Sequence, residues 1–229
     1  MAFTYETALP WGRNFDEYRL MFNLSDQELE LSILACADGP ASFNVQMTDL
    51  GHKVISCDPL YQFSKAQIQE RIDATYESVI SQTWNNQDLF VWKSIPSIEA
   101  LGRVRIRAMR DFLNDYEQGK QAGRYVPAEL PQLPFASSSF DLALCSHFLF
   151  MYSPIFSLGF HEQAVDAMCR VAREVRIVPL LTYDAEVSPH VEPLMETVRR
   201  AGHNVCIETV PYEFQRGGNQ MMRIACVEM

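Results

Sequence analysis

Residues 33–43 read ILACADGPASF, and the reading of this stretch decides the fold. The apolar run SILAC (32–36) stops at a Gly-Pro pair, which marks a strand entering a turn. ASFNVQMTDLG (41–51) then reads as a helix ending at the stop residue Gly51, and HKVISCD (52–58) as a second strand. Together they form a strand–turn–helix–strand unit spanning 32–58, the size of a βαβ crossover.

The alternation extends in both directions. Residues 14–31 look helical, and Ser25 and Glu28 have capping-box spacing before a short second helix. Ser64 and Gln67 open a long helix with Ile68, Ile72, Val79 and Ile80 on one side. The stretch 84–123 is too long for a simple connection. In it Leu101, Val104, Ala108, Phe112 and Tyr116 trace an amphipathic helix, so the stretch reads as an inserted helical cap. Strands are expected at 124–130, 140–146, 174–181, 203–210 and 221–228, with helices at about 160–173 and 191–201. The last two strands are joined without a helix and should pair antiparallel. These elements predict one α/β domain over 1–229, with an N-terminal helical segment 10–31 and the cap at about 84–123. Its sheet should have seven strands, mostly parallel, with one antiparallel strand near its end.

Composition narrows the function. The chain is 48% hydrophobic and 21% charged, ordinary for a globular protein. A net charge of -10 argues against nucleic acid and anionic membrane surfaces as partners. Cys36, Cys57, Cys145, Cys169, Cys206 and Cys226 form no C-x-x-C pair and no metal-ligand spacing, so no metal site is expected. They read as reduced, buried thiols, which suits a cytoplasmic location. The start, MAFTYETALPWGRNF, carries no signal-peptide pattern, and no apolar run is long enough to span a membrane.

Open α/β sheets bind ligands beyond the carboxyl ends of their strands. Ala37, Gly39 and Ala41 are small residues at alternate positions there, letting backbone approach a ligand, and Gly39 is free to take a positive φ. Asp58 ends the second strand, where a carboxylate can accept hydrogen bonds from vicinal ribose hydroxyls. The plainer readings are a tight turn and a helix-start aspartate before Pro59.

With these residues the sequence resembles the class I S-adenosylmethionine-dependent methyltransferases. ILACADGPASF is similar to the family's first motif, a strand followed by D/E-x-G-x-G-x-G, and ISCDPLY (55–61) to its ribose-binding motif. AELPQLPFASSSFDLALCSHFLF (128–150) is similar to the stretch leading from the adenine site into the fourth strand. The resemblance implies a Rossmann-like methyltransferase fold, S-adenosylmethionine as cofactor and a small-molecule acceptor. It implies that Ala37, Asp38, Gly39, Pro40, Ala41, Ser42 and Phe43 wrap the methionine and ribose parts. Asp58 would hold the ribose, with Pro59, Leu60 and Tyr61 against the adenine. Glu129 and Leu130 would lie by the adenine amino group, and Ser146 and His147 would face the transferred methyl, His147 as the catalytic candidate. Ala35 stands where the family has an acid, and Ala37 and Ala41 replace motif glycines; Asp38 is the nearest carboxylate to compensate.

Other candidates are weaker. Tyr152 either packs or binds, while His161 and His190 read as surface residues. Arg103, Arg107 and Arg110 share a helical face, with Arg105 nearby, and suit either an anionic acceptor or a solvated surface. Trp84, Phe90, Trp92, Phe112 and Tyr116 either line an acceptor pocket or form the core of the cap. Two other functions stand beside methyl transfer. A nicotinamide-dependent oxidoreductase is disfavoured by the terminal strand pair and the LPF…FD stretch, and a non-catalytic binding protein on the same scaffold is kept open by Ala35.

Overall fold

The computed structural model describes residues 9–227. The strands are β1 (Ile33–Cys36), β2 (Val54–Cys57), β3 (Tyr125–Val126), β4 (Phe140–Ser146), β5 (Ala172–Val178), β6 (Asn204–Thr209) and β7 (Gln220–Ala225). They form one seven-stranded sheet in the order β3-β2-β1-β4-β5-β7-β6. Pairings are parallel from β3 through β5, and β7 runs antiparallel to both β5 and β6. The expected α/β sheet with a single reversed strand is therefore the one observed. The strand order reverses on either side of β1, which opens a crevice above the carboxyl ends of β1 and β4.

The helices are α1 (Phe15–Met21), α2 (Phe43–Asp49), α3 (Lys65–Asn85), α4 (Ile98–Gln121), α5 (Leu158–Val171) and α6 (Val191–Arg200). The central strands are buried on both faces, so alternation divides their side chains between two cores. Leu34, Cys36, Ala143, Cys145, Val175 and Ile177 join the core under α5 and α6. Ile33, Leu142, Leu144 and Val178 join the core under α1 and α2. Among the described residues no helix is long and apolar enough to cross a membrane.

Several elements are shorter than expected. The helix expected at 14–31 stops at Met21, because Asn23 takes a φ of +48° and turns the chain out. Ser25 and Glu28 then bond reciprocally where the chain enters a single 3-10 turn, Glu28–Glu30. The strand expected at 124–130 keeps two residues, since Pro127 has no N–H for a ladder. Ser64 and Gln67 do form a capping box at the start of α3. Within 84–123 the chain forms a 3-10 turn, Gln87–Leu89, and then α4, which packs on α3, α2 and β3.

Candidate functional site

A cavity of about 690 Å³ opens at the carboxyl edge of the sheet. That is within the ~300–1,000 Å³ range typical of small-ligand sites. Its floor is the loop after β1, where Ala37, Asp38, Gly39 and Pro40 all face it. Asp58, Pro59 and Leu60 line one side after β2. Glu129 and Leu130 line the same cavity from the chain after β3, and Ser146 and His147 from the end of β4.

The loop is shaped by left-handed backbone. Ala37 has φ +50° and Gly39 φ +54°. Glycine adopts this region freely, whereas alanine pays about 1–2 kcal/mol for it. The reversal at Ala37 breaks the strand alternation ahead of Asp38. Ala35 is the register partner of Ser56, and the Ser56 hydroxyl donates to Asp38 Oδ2 at 2.6 Å. A carboxylate thus stands beside the position where Ala35 has none. Tyr18 of α1 donates to the other oxygen, Oδ1.

Asp58 Oδ2 accepts the Gly39 N–H at 2.9 Å and Oδ1 the Leu60 N–H at 2.7 Å. Each oxygen keeps a lone pair for a further donor. Burial pushes both Asp38 and Asp58 up to about 6, against the hydrogen bonds that lower them.

His147 also has a left-handed φ, +50°, and its N–H donates to Val178 O at 2.6 Å. Its Nδ1 lies 2.9 Å from Ser146 Oγ. Burial, then the charges of Arg13 and Arg105, push its pKa well below the ordinary histidine value. The ring is therefore neutral at pH 7. Ser146 Oγ also donates toward Met21 Sδ at 3.7 Å.

The segment before α1 supplies residues that sequence reasoning missed. Leu9, Trp11 and Arg13 line the cavity, joined by Tyr18 from α1 itself. A Cβ on Gly12 would collide with Pro40 O, and the Ser42 N–H donates to Arg13 O at 2.9 Å, so this strap is locked against the loop after β1. The available signal was Gly12 itself, a small residue between Trp11 and Arg13 that permits close backbone approach. Phe63 and Arg71 also face the cavity, the guanidinium carbon 3.9 Å from the Phe63 ring centroid. Opposite lies an aromatic wall in which Phe156 stacks on Phe160 at 4.4 Å and Phe148 lies 5.3 Å from Phe156. Tyr152, left open above, joins this wall.

Other expectations are corrected. Ala41, Ser42, Phe43 and Tyr61 do not line the cavity. They are almost fully buried behind it, Phe43 stacked on Tyr18 and Tyr61 donating its hydroxyl to Gly39 O at 2.7 Å. These four buttress the loop. No lining residue comes from 84–123. Phe90 and Trp92 pack on Phe214, Phe112 and Tyr116 pack with Tyr61 and Tyr125, and Trp84 is 56% exposed. Arg103, Arg107 and Arg110 are exposed, a solvated face. Arg105 is fully buried and pairs with Glu17 of α1. His161 and His190 are not free surface residues. His161 is buried between the carbonyls of Ser157 and Leu149, and His190 Nε2 lies 3.1 Å from Phe156 O. Among the described residues no group of three metal-ligating side chains comes together.

No protein-family model matches the chain. A protein of Methanocaldococcus jannaschii described as uncharacterized is 30% identical over 217 residues, covering 93% of this chain and 94% of its own length. Solved structures similar to the chain include the magnesium protoporphyrin IX methyltransferase of Synechocystis with bound SAM. It is 9% identical and has a TM-score of 0.47, over 93% of this chain and 91% of that one. A TehB-like SAM-dependent methyltransferase of Corynebacterium glutamicum is 13% identical with a TM-score of 0.49, over 93% of this chain and 88% of that one.

Proposed function

We propose that the chain, which belongs to the same family as the Methanocaldococcus jannaschii protein, is an S-adenosylmethionine-dependent methyltransferase acting on a small or medium-sized acceptor. The observation that carries this reading is Asp58. Its carboxylate faces the cavity at the end of β2, is fixed by two backbone N–H groups, and retains a lone pair on each oxygen. That acceptor pair suits vicinal ribose hydroxyls. The loop Ala37–Pro40 brings bare backbone to the same space, and Leu60 and Phe63 offer apolar surface for a base. Asp38 supplies the carboxylate that Ala35 lacks, beside a cationic ligand end.

When bound, S-adenosylmethionine supplies an electrophilic methyl group on a sulfonium. The chain's own contribution is alignment and proton handling. His147, neutral and hydrogen-bonded to Ser146, is the group placed to receive the acceptor's proton.

The test is calorimetric titration with S-adenosylmethionine and S-adenosylhomocysteine, with NAD and NADP as controls, on wild type and Asp58→Ala. Micromolar affinity for the first two, lost at least tenfold in the variant, is expected. Preference for NAD, or affinity unchanged in the variant, would sink the proposal. Binding without turnover on any acceptor would favour the binding-only reading that Ala35 keeps open.

A further inference from the structure

Arg13 is not used by the functions assigned above. It lines the cavity, yet only Nη1 has a described bond, to Trp11 O at 3.2 Å. Its Nε is buried and has no hydrogen-bond partner among the described residues. No carboxylate among the described residues forms an ion pair with it, because the nearby acid, Glu17, is taken bidentately by Arg105. Arg13, Arg105 and Glu17 form a cluster of two guanidiniums and one carboxylate, which carries one surplus positive charge. Burial and the neighbouring Arg105 both press the Arg13 pKa down. An arginine stays charged regardless, and its uncompensated charge in a low-dielectric site is costly until an anion arrives.

The surroundings describe the rest of that anion. Arg13 shares the cavity with His147 and with the wall of Phe148, Tyr152, Phe156 and Phe160. The strap that carries it is tied to Tyr152, whose hydroxyl accepts the Leu9 N–H at 3.2 Å. The acidic pole of the cavity, Asp38 and Asp58, belongs to the loop after β1 and the end of β2.

We infer that the acceptor is a flat, largely apolar molecule bearing a carboxylate or phosphate, with the anionic group bound by Arg13 and the ring seated against Phe148, Phe156 and Phe160. This rests on the methyltransferase reading and extends it to the class of acceptor. Arg is the side chain suited to both anions, so the chemistry is shared and experiment separates them.

The test uses the full chain saturated with S-adenosylhomocysteine and titrated with benzoate, phenyl phosphate and neutral benzamide. Benzoate or phenyl phosphate should bind on the order of tenfold or more tighter than benzamide, as a charge-assisted bond in a buried site requires. The better of the two names the anion. In Arg13→Gln the preference should vanish with S-adenosylhomocysteine affinity unchanged, and Arg13→Lys should restore part of it. Equal binding of all three probes to wild type, or binding of none, would overturn the inference without any variant. A loss of S-adenosylhomocysteine in Arg13→Gln as large as the loss of benzoate would also overturn it, by assigning Arg13 to the cofactor. Failure of wild type to bind S-adenosylhomocysteine at all would instead refute the methyltransferase reading on which the inference rests.

Discussion

Replacing Glu17 by glutamine tests how α1 is held to α4. Arg105 is 0% exposed, Glu17 is 7% exposed, and the guanidinium meets the carboxylate through Nη1 at 2.5 Å and Nη2 at 2.7 Å. The Tyr212 hydroxyl adds a third bond at 3.2 Å. Burial pushes the Glu17 carboxyl up, but Arg105 more than offsets this and holds it below the ordinary range. Glutamine preserves the volume but removes the charge and turns an NH₂ toward guanidinium donors. Arg105 and Arg13 are then both uncompensated. Breaking a buried pair from one side costs ~3–5 kcal/mol. At ~2–4 °C per kcal/mol for a chain of this size, Tm should fall by roughly 6–20 °C. Urea unfolding, followed by two probes to check two-state behaviour, gives the free energy directly. The double variant Glu17→Met/Arg105→Met should recover most of the loss, since apolar replacements of buried pairs are often neutral. A single-variant cost under about 1 kcal/mol would refute the reasoning, because it would mean that water compensates Arg105.

Ala37→Gly should stabilise the protein by about 0.5–1 kcal/mol in the same assay, the relief at φ +50° exceeding the extra freedom glycine brings to the unfolded chain. The carboxyls of Asp38 and Asp58, raised to about 6, bind protons more tightly folded than unfolded. Their contribution to stability is therefore greatest below the unfolded value near ~4 and declines as pH rises to about 6. Cofactor affinity should run the other way, full above pH 6 and falling up to ~10-fold per unit below it, because hydroxyl donors need the ionised Asp58. Titrations at pH 5 and pH 7 that give equal affinity would contradict this. Cys36 lies in register with both Cys57 and Cys145, and all three are buried, whereas Cys206 is exposed. A thiol reagent should label Cys206 in the native protein, and these three only after unfolding.

The parts of the fold visible in the sequence are those written in periodicity and punctuation. The unit from Ile33 to Cys57, the Ser64–Gln67 cap and the reversed final strand each follow from local patterns. Two kinds of information were not local. The first is the conformation of the loop after β1. Ala37 must be left-handed before Asp38 meets the Ser56 hydroxyl, and no alternation rule contains that step. The second is charge pairing at a distance. The stripe read from the sequence runs through Leu101, Val104, Ala108 and Phe112, which leaves Arg105 grouped with the solvated arginines although it is fully buried. Its partner Glu17 is 88 positions away on another helix. Arg13 lies in a strap with no period at all, fixed by the approach of Gly12 to Pro40 and by the Ser42 N–H on its own carbonyl.

That approach joins two binding events. The strap and the loop after β1 share a backbone bond from Ser42 to Arg13 and a contact too close for any side chain at Gly12. On the proposed function, an occupant that stiffens the loop would stiffen the strap, and the ordering cost of placing Arg13 would be met once for both ligands. By thermodynamic reciprocity, the factor by which cofactor tightens an anion at Arg13 is the factor by which the anion tightens cofactor. An inserted residue that lets the strap drift from Pro40 should leave each ligand able to bind alone and abolish the factor between them.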